Sequence, residues 1–105
     1  MPKNTTSNTI SVGIAQADIS PPVGTPSAGF AGRGPLTALH DPLYATALAL
    51  SDGQRTAVLV ACDLLYLDAE TVNEIRGEVE QRTGVAAEHL TIACTHTHYG
   101  PDASR

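Results

Sequence analysis

The sequence has no tryptophan, three tyrosines and one phenylalanine, too few rings for a platform on which nucleic-acid bases could stack. It is also short of positive charge. Six Lys and Arg stand against eleven Asp and Glu, a formal net charge of −5. A surface that tracks a phosphate backbone needs the opposite balance. No apolar run approaches the roughly 20 residues of a membrane-spanning helix. The opening "MPKNTTSNTISVG" has no apolar core of a signal peptide, so residues 1–9 read as a polar tail on a cytoplasmic chain, or on a secreted one if a signal was removed. Two cysteines, Cys62 and Cys94, do not make a disulfide framework. Each closes an apolar run, where buried thiols are common, and a cytoplasmic setting keeps them reduced even if the runs are neighbours. What is present is ordinary for a folded chain: 42% apolar and 16% charged residues over 105 positions, enough for one small domain with a modest core.

No internal repeat and no inter-domain linker is visible. Partial alternation with β-branched residues predicts a first strand over Ile10 to Ala15. Residues 20–35, "SPPVGTPSAGFAGRGP", hold four prolines and four glycines, which excludes a regular helix or a central strand. A long loop of this kind inside a compact domain is a place to look for function. "PLYATALALSDGQRTAVLVACDLLYL" reads as two strands about the turn pair Asp52-Gly53. The second strand, Thr56 to Cys62, is apolar almost throughout, as expected of burial on both faces. A helix follows, with Asp68 as N-cap, Glu70 in the first turn, Gly84 as the stop, and Val72, Ile75 and Val79 as its apolar stripe. Gly77 within it costs about 1 kcal/mol against Ala. Leu90 to Thr95 then reads as another buried strand. The predicted fold is α/β: a mixed sheet built from a β-hairpin and a right-handed βαβ unit. In such a unit the two strands are parallel, so Asp63 and His96 leave their carboxyl ends on one rim of the sheet. Ligands of open α/β sheets bind at that rim.

The rim carries "CTHTHYGPD". If the strand persists through it, Cys94, His96 and His98 share one face. Two imidazoles at i and i+2 can converge on a metal such as zinc, which keeps three protein ligands and an open position when it is catalytic. Equally, one imidazole can hold metal while the other sits beside substrate as acid, base or hydrogen-bond donor. Two half-buried rim histidines with no chemistry remain the third reading.

Taken in order, "VGIAQADISPPVG" (12–24), "GFAGR" (29–33), "LHDPLYATALALSDG" (39–53), "AVLVACDLL" (57–65) and "LTIACTHTHYGPD" (90–102) resemble the N-terminal part of the neutral/alkaline non-lysosomal ceramidase family. The resemblance covers nearly the whole chain beyond the tail. It implies a zinc-dependent amide hydrolase that releases a fatty acid from an N-acylated sphingoid base, and hence a ceramide-like N-acyl amide as substrate. His96 would be a zinc ligand and His98 the catalytic residue beside it. The family's further ligands, a His, a Glu and a Tyr, come from later in a longer chain. On this reading residues 10–105 are an N-terminal segment of a larger domain, truncated at its carboxyl end and inactive by itself. Its open sheet edges are then expected to meet the rest of that domain or a second copy. Tyr99 stands where the family commonly has Ser and brings a ring to the substrate pocket.

Several other residues are candidates on their own chemistry. Asp63 can orient His96 from behind through its second ring nitrogen, or cap a strand end with its carboxylate. Arg33 can present a fork of donors to a polar or anionic substrate group, and His40 lies between the glycine-rich loop and a strand. Gly29, Gly32 and Gly34 allow close approach of the backbone, although turns alone would explain them. His89 reads as a surface residue, and Cys94 as a small core residue. A different class of function stays open: a stand-alone α/β module that binds a ligand or partner and catalyses nothing.

Overall fold

The computed structural model describes residues 9–104. The proposed tail lies outside these residues apart from Thr9. Four strands, β1 (Ser11–Asp18), β3 (Tyr44–Ser51), β4 (Thr56–Cys62) and β5 (Leu90–Cys94), form one mixed sheet in the order β1-β3-β4-β5. The first two pairings are antiparallel and β4 with β5 is parallel. Between β4 and β5 lie a helix, α1 (Ala69–Thr83), and a single 3₁₀ turn (Ala87–His89). This is the mixed α/β sheet, hairpin and βαβ unit expected from the sequence. Two short strands, β2 (Ser27–Ala28) and β6 (Gly100–Pro101), pair antiparallel and fasten the glycine-rich loop to the segment after the histidines.

Local chemistry sets the boundaries. Asp68 Oδ1 accepts the Thr71 N–H at 2.7 Å, a capping bond that removes one orphan donor of α1. Gly84 ends the helix at φ 79° and gives its N–H to the Glu80 carbonyl. The β3–β4 connection is longer than a two-residue turn. Ser51 pairs with Thr56, and Asp52 Oδ1 accepts the N–H groups of Gln54 and Arg55 at 2.9 and 2.8 Å. Asp52-Gly53 thus opens a four-residue loop held by the Asp52 carboxylate.

The sheet has two unlike faces. On one, Val58, Val60 and Cys62 of β4 lie in register with Leu90, Ile92 and Cys94 of β5. These residues and the stripe Val72, Ile75 and Val79 of α1 are all half-buried or buried. Arg76 adds a bond from Nε to the Leu90 carbonyl at 3.0 Å, tying α1 to the start of β5. The other face is open. Val12 and Ile14 of β1 and Leu59 of β4 are 59%, 74% and 52% exposed. The expectation that β4 and β5 are buried on both faces is therefore corrected: both alternate, because among the described residues no element covers the second face.

Cys62 and Cys94 are register partners, and both are free thiols. Burial pushes both thiols above their ordinary values, with Cys94 and Asp63 adding to the effect on Cys62. They belong to the core side of the sheet rather than to a ligand set.

Candidate functional site at the strand carboxyl ends

β4 and β5 end side by side, and their continuations are laced together by the main chain. Thr95 N–H donates to the Cys62 carbonyl at 2.9 Å and His96 N–H to the Leu64 carbonyl at 3.0 Å. The strand stops at Cys94, and His96 takes φ 65°, a left-handed conformation costly for a residue with a Cβ. The alternation that would set Cys94, His96 and His98 on one face is thus broken. The imidazoles meet all the same, with ring centres 4.9 Å apart and planes at 82°.

Each ring is held from behind by a carbonyl. His96 Nδ1 lies 2.8 Å from the Leu65 oxygen, and His98 Nδ1 lies 3.0 Å from the Gly29 oxygen. A carbonyl can only accept, so both Nδ1 atoms carry a proton, and the neutral form of each ring has its lone pair on Nε2. Metal-binding imidazoles share this arrangement. His96 is exposed and His98 half-buried. Two Nε2 lone pairs therefore fit one or two positions of a zinc site. Among the described residues no third His, Cys, Asp or Glu joins them.

Asp63 does not orient the His96 ring. Its Oδ2 accepts the Tyr44 N–H at 3.0 Å and its Oδ1 accepts the Thr95 hydroxyl at 3.2 Å. Its own N–H donates to the Tyr44 carbonyl at 2.9 Å. The carboxylate is a staple across the ends of β3, β4 and β5. The orienting acceptor behind His96 is instead the main chain at Leu65, which has no side-chain signature to read.

Gly29 is required where it stands. Its φ is 107°, and a Cβ there would lie 2.6 Å from His98 Nδ1 and 3.0 Å from the His98 Cα. The β2–β6 pairing delivers this glycine to the histidine across 69 residues of sequence. Beside it stands Phe30, whose ring centre is 5.3 Å from that of His98 and 5.8 Å from that of Tyr99. Sequence reasoning did not single out Phe30, although the chain's one phenylalanine inside a Gly/Pro loop was a usable signal.

Arg33 is half-buried against these rings, its guanidinium carbon 4.9 Å from the Phe30 centre and 5.4 Å from that of Tyr99. Its Nε donates to Ser27 Oγ at 3.2 Å and its Nη2 to the Ala28 carbonyl at 2.7 Å. Arg33, Thr97 and Tyr99 line an apolar cleft of about 770 Å³ together with Val23, Leu36, Leu39 and Leu43; His96, His98 and Phe30 stand next to this lining and not in it. His40 and Asp41 sit on its outer lip, paired at 2.9 Å and almost fully exposed. Arg33, Tyr99 and His98 are thus brought together, while among the described residues no contact joins His40 to the imidazole pair. His89 is exposed.

Comparison with solved structures finds this arrangement of elements in neutral ceramidase from Pseudomonas aeruginosa, with a TM-score of 0.80 and 24% identity over 90% of this chain and 16% of that one. A ceramidase complexed with C2 matches with a TM-score of 0.78 and 23% identity, over the same shares of each chain. The fold is that of a ceramidase segment. At these identities the likeness is one of fold, and the chain spans about 16% of the length of the ceramidases it matches. No protein-family model and no curated protein sequence matches the chain.

Proposed function

We propose that the imidazole pair is part of a zinc-dependent amide-hydrolase site of the neutral-ceramidase type, with His96 as a metal ligand and His98 facing substrate. The observation that carries this reading is the shared tautomer: both rings spend Nδ1 on a main-chain carbonyl and keep Nε2 for chemistry. The ceramidase fold supports it, as does the position at the carboxyl ends of parallel strands. Zinc, when bound, supplies a polarised amide carbonyl and a water acidified towards neutrality. His98 Nε2 takes a proton from the attacking water and returns it to the departing amine as the C–N bond breaks. The remaining ligands come from a segment other than the described residues.

Calorimetry of zinc binding to the purified chain, with His96→Ala and His98→Ala beside it, tests this. Binding no tighter than micromolar and abolished by His96→Ala is the expected result; binding indifferent to both substitutions sinks the assignment. Two imidazoles without a carboxylate do not complete a catalytic zinc site, so the 105-residue chain is expected to show no turnover of N-acyl amides. Zinc-dependent turnover by the chain alone would overturn the divided site. The second reading, a ligand-binding module without catalysis, rests on the lack of a third ligand among the described residues. It gains if an amphiphile binds the cleft while zinc does not bind at all.

A further inference from the structure

Of the side chains that line the cleft, Arg33 is the one arginine or lysine and Asp41 the one carboxylate. Asp41 is already engaged by His40 Nδ1 at 2.9 Å. Arg33 has no acidic partner among the ion pairs of the described residues; its two bonds go to a hydroxyl and a carbonyl. Those bonds use the Nε–Nη2 edge of the guanidinium. The Nη1–Nη2 edge keeps its donors, and five N–H groups in a rigid fork match a carboxylate in bidentate fashion. The bonds to Ser27 and Ala28 already hold the group, with the Phe30 and Tyr99 rings 4.9 and 5.4 Å away, so less side-chain freedom is lost on binding. A cation built into the wall of an apolar cleft, one ring away from His98, asks for a ligand with a greasy tail and a negative end.

We propose that the cleft selects N-acyl amino acids, with the acyl chain along Val23, Leu36, Leu39 and Leu43 and the carboxylate on the open edge of Arg33. This names the substrate class of the site described above and rests on its reading as an amide hydrolase. A neutral sphingoid headgroup would leave the guanidinium without a charge complement.

The test is binding, in EDTA, of three probes to the full chain by NMR titration: N-octanoylglycine, the neutral N-octanoylethanolamine, and octanoate. N-octanoylglycine is expected to bind about tenfold tighter or more than the ethanolamide, the return from one charge-assisted fork. Arg33→Gln should bring the two amides to the same affinity, and Arg33→Lys should keep part of the preference. If Arg33→Gln loses its fold by circular dichroism, the wild-type preference and its weakening at high salt decide instead. Equal affinity for both amides in the wild type overturns the proposal, as does a preference that survives Arg33→Gln or no binding of any probe. Octanoate binding as tightly as N-octanoylglycine, with the same dependence on Arg33, overturns it in favour of a free fatty acid. The two readings fail separately. Equal amide affinities with His96-dependent zinc binding intact reject only the substrate class, whereas Arg33-dependent selectivity without zinc binding rejects only the hydrolase.

Discussion

Gly29 shows how much of this site hangs on single positions. A methyl group there meets His98 Nδ1 and cannot relax away cheaply, because the His98 Cα is also in the way and φ is 107°. Gly29→Ala is expected to cost about 1–3 kcal/mol, the usual range for a strained backbone position. It should also free His98 from its carbonyl partner. Imidazole nitrogen shifts would then report mixed tautomers at His98 and an unchanged Nδ1–H form at His96. Unchanged shifts at both rings would mean that the glycine is incidental. The cysteines make a second case. With both thiols pushed up by burial, Cys62 and Cys94 should alkylate at pH 8 more slowly than a free cysteine, with Cys62, the more enclosed, the slower.

At the scale of elements, α1 depends on its first cap. Asp68→Ala should lower stability by about 1 kcal/mol, read as a shift in the urea midpoint at constant slope. The β3–β4 loop adds a pH dependence. Backbone N–H groups of Arg55 and Gln54 hold the Asp52 carboxyl below its ordinary 3.8, and bonds to Ser20 and Ser104 do the same for Asp18 and Asp102. A carboxylate depressed in the folded state stabilises it above the unfolded value and ceases to do so as pH falls through the folded one. Melting temperature should therefore be insensitive to these groups above about pH 5 and decline below about pH 4, less steeply in Asp52→Ala. Elements with local signals were legible in the sequence. Asp68 and Gly84 mark their helix because a cap and a left-handed stop act within one turn. The end of β5 was not legible, because the Leu64 carbonyl that captures the His96 N–H lies 32 residues away in sequence. The two-residue strands β2 and β6 are too short to show a period, so nothing local announced that Gly29 meets His98. Of the two readings of Asp63, the structure shows the strand-end carboxylate and not the group behind His96, since the acceptor there is a main-chain atom.

For the molecule as a whole, the open face of the sheet decides behaviour in solution. Val12, Ile14, Leu48, Leu50 and Leu59 share it, and among the described residues β1 and β5 are the edge strands of the sheet. The purified chain is expected to self-associate as concentration rises, and Ile14→Lys with Leu59→Lys to suppress this in sedimentation velocity. A monomer at all concentrations would contradict it. The acceptors behind the two imidazoles set a different kind of limit. A main-chain carbonyl is not encoded by any one codon, so no point substitution at Leu65 can delete it. His98 is similarly secured provided position 29 stays glycine. The residues of the cleft wall carry no such restriction. A lineage of this chain can thus exchange the groups that choose the ligand, Arg33 and Tyr99 among them, while the direction of both Nε2 atoms is inherited unchanged.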